Sequence, residues 1–154
     1  GKNISNIKFH GQFSLYTPVV KNLTYIFNVS GTRLFDDFEY YHAASLGSRN
    51  FLRDNDVLRG YRKNRFNGRS GMAFNNELRL KLFDVSAYIA PGQFGINAFV
   101  DVGRVWYDGQ ESSVWHNNVG GGIWYTPLDV AVLNIFYSYS KEENVIRVNF
   151  GFLF

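Results

Sequence analysis

Met72-Ala73-Phe74-Asn75-Asn76-Glu77-Leu78-Arg79-Leu80-Lys81-Leu82 is the stretch that decides the fold. Met72, Phe74, Leu78, Leu80 and Leu82 share one side of an extended chain, and Asn75, Glu77, Arg79 and Lys81 share the other. Successive side chains of a strand point to opposite faces, whereas a helix repeats every 3.6 residues, so this run predicts a strand with one apolar and one polar face. The same rhythm recurs elsewhere. Over 6–16, Ile7, Phe9, Phe13 and Leu15 alternate with Lys8, His10, Gln12 and Ser14; over 23–33, Tyr25, Phe27 and Val29 alternate with Thr24, Asn28 and Ser30. Residues 38–47 are less regular, because Tyr40 and Tyr41 adjoin. After 71–84 come 94–107 (Ile96, Ala98, Val100, Val102 and Trp106 against Asn97, Asp101 and Gly103) and 117–126 (Val119, Ile123 and Tyr125 against Asn118, Gly120 and Gly122). Last are 131–140 (Leu133, Ile135, Tyr137 and Tyr139 against Asn134, Ser138 and Ser140) and 145–154 (Ile146, Val148, Phe150, Phe152 and Phe154 against Arg147, Asn149 and Gly151). The pattern predicts an all-β chain of eight antiparallel strands with no helix.

Composition agrees. Aromatic residues make up 18% of the 154, ten Tyr and fifteen Phe among them, yet the mean hydropathy is only −0.20. No window approaches the ~20 apolar residues of a membrane helix. Many aromatics without a long apolar run is what results when one residue faces lipid and the next a polar interior. The length predicts one domain over 1–154. The absence of cysteine excludes disulfide scaffolds and thiolate metal sites.

Pro91-Gly92 and Pro127-Leu128-Asp129 mark tight turns, while 108–117 and 141–144 are polar connections. A long basic loop at 48–70 holds Arg49, Arg53, Arg59, Arg62, Lys63, Arg65 and Arg69. Short and long connections thus alternate, as on the two sides of an outer-membrane barrel. The tight turns are expected on the periplasmic side and the basic loop outside, with both chain ends periplasmic, as an even strand number requires. Alternation alone does not say which face is the interior; a soluble lipocalin-like barrel would turn its apolar face inward around a ligand. Three features favour apolar-out. The polar faces hold Lys8, His10, Asn75, Glu77, Arg79, Asp101 and Arg147, which can satisfy one another in a small interior. Tyr16, Tyr40, Tyr41, Trp106, Tyr107, Trp115, Trp124 and Tyr125 sit near strand ends, as interfacial girdles do. Phe150, Phe152 and Phe154 stand in phase in the last strand. The expected fold is an antiparallel transmembrane β-barrel of eight strands in a bacterial outer membrane.

Leu58-Arg59-Gly60-Tyr61, Arg65-Phe66 and Asn76-Glu77-Leu78-Arg79, followed by Phe99-Val100-Asp101-Val102-Gly103 and Asn149-Phe150-Gly151-Phe152-Leu153-Phe154, carry a resemblance. In that order they resemble the BamA-type barrels of the bacterial surface antigen superfamily, the match covering the second half of a typical family barrel. The resemblance implies that the long loop folds back into the lumen, with Arg59 held by Asp101 and Glu77 on the barrel wall and Arg79 beside them. Physics points the same way, since a guanidinium withdrawn from water needs carboxylate partners. Gly60 is expected to allow a backbone conformation that a Cβ resists, and Tyr61 to pack inside with its hydroxyl bonded. Without the family pattern, Arg59 is one more solvated loop arginine.

The chain departs from full family members, which carry a wider barrel and periplasmic substrate-docking repeats. An eight-stranded interior is just wide enough for side chains, which a loop of some twenty residues exceeds. Three arrangements stay open: an excised half, a short member whose loop lies partly outside, or a homodimer joining two copies into a larger barrel. The resemblance implies a role in inserting or translocating proteins, with client β-barrel proteins and the outer-membrane assembly machinery as partners alongside outer-membrane lipid and lipopolysaccharide. In that family the first and last strands pair weakly, and Gly151 would weaken such a seam. Phe150, Phe152 and Phe154 would be read by the assembly machinery as a C-terminal signal, or simply face lipid. The alternative is a small non-transporting barrel serving as anchor or scaffold.

Enzyme chemistry finds no support. His10, His42 and His116 lack metal-ligand spacing, and no nucleophile elbow or phosphate loop is present. Gly120-Gly121-Gly122 lies within a strand pattern and relieves crowding or allows curvature rather than cradling phosphate. No catalytic residue, metal or cofactor is expected, and the basic loop faces lipopolysaccharide or lumen carboxylates rather than nucleic acid.

Overall fold

The computed structural model describes residues 7–35, 44–45, 58–61, 67–106 and 114–152. Its strands are β1 (Ile7–Val20), β2 (Leu23–Phe35), β3 (Ala44–Ser45), β4 (Asn67–Gly68), β5 (Ser70–Val85), β6 (Gly92–Trp106), β7 (His116–Pro127), β8 (Ala131–Ser140) and β9 (Asn144–Phe152). Seven form one sheet in the order β1-β2-β5-β6-β7-β8-β9, every neighbouring pair antiparallel. β3 and β4 pair only with each other. The all-β antiparallel reading is therefore right.

The count of eight is not reached among the described residues. β2 and β5 pair continuously from Leu23↔Leu80 to Arg33↔Ser70, which leaves no place between them for a strand over 38–47. Of that segment only Ala44 and Ser45 are described, and they lie opposite Gly68 and Asn67, outside the large sheet. An odd number of described strands changes the expectation for one of the two ends, the first strand's start, and leaves the last strand's end on the tight-turn side. β1 begins opposite Phe35, where the long connection leaves the sheet, and β9 finishes opposite Ala131, beside the 128–130 turn. The described strands thus start at the long-connection rim and finish at the tight-turn rim. Among the described residues no ladder joins β1 to β9, so the sheet is open at that seam.

Alternation sets the two faces. One carries Phe9, Phe13, Leu15, Leu78, Ile96, Val100, Val119, Ile123, Ile135, Tyr137, Tyr139, Ile146 and Val148, all exposed. The other carries Ala73, Asn75, Glu77, Asn97, Phe99, Asp101, Asn118, Phe136 and Ser138, all buried. The exposed face is thus the more apolar of the two, while the covered face mixes charged and polar groups with Ala73, Phe99 and Phe136. Tight turns close one rim: Asn22 has φ 73°, and Leu128 and Asp129 have φ 56° and 54°. Both central residues of the latter turn are left-handed, as in the mirror-image turns that match hairpin twist, although Leu is an uncommon occupant.

The glycine run of β7 makes room for rings. A Cβ on Gly120 would overlap Phe99 and stand 2.5 Å from the Tyr137 carbonyl oxygen; one on Gly122 would stand 2.6 Å from Phe136 Cβ. Phe99 and Phe136 fill that space edge to face, 5.3 Å between centroids. Gly151 is different, since a Cβ there meets nothing within 4 Å. Gly120→Ala is expected to lose about 1–3 kcal/mol through overpacking, and Gly151→Ala to be neutral or slightly stabilising because it removes only backbone entropy. Urea unfolding of the two variants checks this; equal losses would mean that ring crowding is not what the glycines serve.

Candidate functional site

The described part of the long connection, Leu58 to Tyr61, is a single turn closed by the Tyr61 amide donating to the Leu58 carbonyl at 3.4 Å. It is fixed to the polar face of the sheet at both ends. Leu58 and Tyr61 are 0% and 1% exposed and pack with Ala73 of β5 and Val105 of β6. Burial of Leu58 alone is worth roughly 1.5–3 kcal/mol relative to exposure in water. The space it takes is created by Gly103, where a Cβ would stand 3.1 Å from Leu58 Cδ2.

Arg59 lies between these anchors. Its backbone amide and Nε donate to Asp101 Oδ2, each at 3.1 Å, and Nη2 donates to Asp101 Oδ1 at 2.7 Å. Nη1 donates to Glu77 Oε2. The guanidinium carbon stands 3.8 Å from the centroid of the Phe99 ring, a cation–π contact. This two-point fork with a planar support suits arginine and not lysine. Asp101 is fully buried and takes a further hydrogen bond from Asn118 Nδ2 at 3.1 Å; the same amide reaches Ser138 Oγ at 3.1 Å. Glu77 takes Arg79 Nη2 at 2.8 Å and Asn97 Nδ2 at 3.1 Å on Oε1. Two guanidiniums face two carboxylates, so the cluster is neutral and the carboxylate oxygens are met by donors. That is the condition under which buried ions are tolerated.

The rest of the turn is held by its neighbours. The Tyr61 hydroxyl donates to the Asn117 carbonyl at 3.0 Å, and its ring meets His116 edge-on at 5.9 Å. Arg147 Nη2, from the edge strand β9, donates to the Tyr61 carbonyl at 2.9 Å. Four strands, β5, β6, β7 and β9, therefore grip four residues of loop. A polar cavity of about 90 Å³ remains beside Arg59, lined among others by Asn75, Glu77, Arg79, Tyr16 of β1 and Asn149 of β9.

Leu58, Arg59, Gly60, Tyr61, Glu77, Arg79 and Asp101 come together at this site. Two expectations change in detail. Arg79 bonds the other oxygen of the Glu77 carboxylate, so it acts on the loop through Glu77. Gly60 is required for space: a Cβ there would stand 2.6 Å from Asn118 Cγ and 2.7 Å from Ser138 Oγ. Nothing along the chain marks Asn118, Ser138, Asn97, Phe99 and Arg147 as partners of the loop, although all lie in the inward phase of their strands. Phe150 is on the apolar face opposite Leu133, whereas the Phe152 side chain and Phe154 lie outside the described residues. Basic residues 49, 53, 62, 63 and 65 also lie outside them.

His116 Nδ1 is 3.1 Å from Glu142 Oε1, and His10 Nδ1 is 2.8 Å from Thr32 Oγ1. Among the described residues no cluster of His, Asp and Glu could hold a metal ion. What the site can do chemically is hold: it ties a turn to a wall by ion pairing, ring stacking and close backbone approach. Comparison with protein-family models, characterised proteins and solved structures returned no match.

Proposed function

We propose that this chain forms an outer-membrane β-barrel of the BamA type, concerned with the insertion or translocation of other proteins. One observation carries the membrane part: the face turned away from the buried ionic cluster is apolar across all seven strands and has no protein layer over it among the described residues. Such a face is satisfied by lipid, and its strands of 9 to 16 residues are of membrane-crossing length. The insertion part is supported by the Arg-Gly-Tyr turn held on the inner wall and by two strand edges, β1 and β9, that can take up a further strand by β-augmentation. Outer-membrane lipid, lipopolysaccharide, the assembly machinery and client barrel proteins are the partners of this reading.

Charge placed on the apolar face tests it. Val100 and Ile123 are 45% and 43% exposed. Val100→Arg or Ile123→Arg is expected to cost about 2–4 kcal/mol at mid-membrane depth, measured by urea unfolding of the protein folded into vesicles. In water, an exposed substitution of this kind changes stability by less than about 0.5 kcal/mol. A loss that small, or purification without detergent, sinks the membrane reading. Assembly of other barrel proteins that does not change when the chain is deleted favours an anchor or scaffold instead.

A further inference from the structure

We infer that the outward face, just below the long-connection rim, binds the phosphate groups of a multiply acylated lipid through Arg33 and Arg104; the inference rests on the membrane reading above. Two arginines stand in the outward phase of this otherwise apolar face. Arg33 of β2 alternates in step with Val29 and Phe35, and Arg104 of β6 in step with Val100 and Trp106. The ladders place both at the same end of the sheet: Arg33 is opposite Ser70, and Arg104 is opposite Met72, two residues further along β5. Two strand spacings and two residues of rise put their Cα atoms roughly 12 Å apart. Among the described strands no acidic side chain shares this phase with them, and Glu142, in the nearby β8–β9 connection, is engaged by His116. An arginine that merely reached for the membrane surface would serve at either end of a strand. Here both lie at one end.

Each guanidinium also lies against rings. Arg33 is 5.2 Å from the Phe35 centroid; Arg104 is 5.1 Å from that of Trp106 and 5.8 Å from that of Trp115, which in turn rests on Phe74 at 6.4 Å. Stacking occupies the faces of a guanidinium and not its N–H edge, the fork that matches phosphate oxygens. Room for acyl chains adjoins on both sides. Towards β1, Gly11 and Gly31 are paired on this face, and a Cβ on either would meet one atom within 4 Å, at 3.7 and 3.9 Å. Towards β8, Val100, Val119 and Tyr139 line a groove of about 220 Å³ with Lys141 at its rim. A phosphorylated headgroup on the arginines lays its hydrocarbon along these depressions and meets a third cation.

Tryptophan emission reads the site, because Trp106 and Trp115 flank Arg104 while Trp124 is buried on the other face. The full chain in neutral detergent micelles is titrated with lipopolysaccharide, with the same lipid stripped of its phosphates, with phosphatidylglycerol and with inorganic phosphate. A saturable change is expected with the phosphorylated lipid alone. Its midpoint is expected to weaken about fivefold for each of Arg33→Gln and Arg104→Gln, and not for Lys21→Gln, the same change of charge at the tight-turn rim. Arg33 is exposed, so its variant tests the site even where Arg104→Gln fails to fold. Equal midpoints for wild type and Arg33→Gln, equal weakening by Lys21→Gln, or equally tight binding of the stripped lipid or phosphatidylglycerol overturns the inference. A response to inorganic phosphate at the same midpoint overturns it too, as the mark of a free-anion site. Failure of the membrane reading shows separately, as a chain that binds no detergent.

Discussion

Asp101→Ala is expected to destabilise the folded chain by about 3–5 kcal/mol, the cost of stripping a buried ion of its main partner. Asp101 accepts from the backbone, Nε and Nη2 of Arg59, so its removal leaves one whole edge of the guanidinium unpaired beside Phe99. Glu77 cannot take over, because its second oxygen is held by Arg79 and Asn97. The turn at 58–61 must then leave the wall or stay with an uncompensated charge. Urea unfolding in vesicles measures the loss, and trypsin distinguishes the two outcomes. Arg59, whose backbone amide is bonded to Asp101 in the wild type, becomes a cleavage site only if the turn swings out. Asp101→Asn keeps the shape and one acceptor, and its loss is expected to be smaller. A variant as stable and as resistant to cleavage after Arg59 as the wild type would refute the view that this ion pair holds the loop.

Gly60→Val is expected to have an effect of similar size by another route. The new side chain would overlap Asn118 and Ser138, both on strand backbones locked into ladders on each side. Overpacking of this kind costs about 1–3 kcal/mol when neighbours can shift. Here they shift only by breaking the hydrogen bonds from Asn118 to Asp101 and Ser138. Expulsion of the turn is then the easier response, with the loss of the Arg59 pairs and a total near that of Asp101→Ala. Because the obstacle is space and not backbone dihedral, a second change in the wall should relieve it. Gly60→Ala combined with Asn118→Gly is expected to recover part of the stability lost by Gly60→Ala alone. No recovery would point to the turn's own conformation as the reason for glycine.

The two substitutions separate what could be read along the chain from what could not. Arg59, Glu77 and Asp101 form a set only through the resemblance to BamA-type barrels, since along the chain alone Arg59 is one loop arginine among several. Asn118 and Ser138 carry no such signal, since a polar residue in that phase is adequate in many registers. Only the ladders Asp101↔Asn118 and Gly120↔Ser138 bring them under Gly60. For the same reason the sequence suggests a conformational role for Gly60: one residue's φ follows from local geometry, whereas the approach of another strand does not.

Alternation in the sequence by itself determined the all-β class, the two faces of each strand and the placement of charges opposite the apolar stripe. These follow from the two-residue repeat of an extended chain, which is local and survives any pairing. Tertiary structure alone decided that β2 pairs directly with β5, that the sheet has seven strands among the described residues, and that the first and last of these point the same way. Pairing is a choice among distant partners, made by hydrogen-bond ladders and by the space around Arg59, and one strand's pattern of residues fits several such choices equally well.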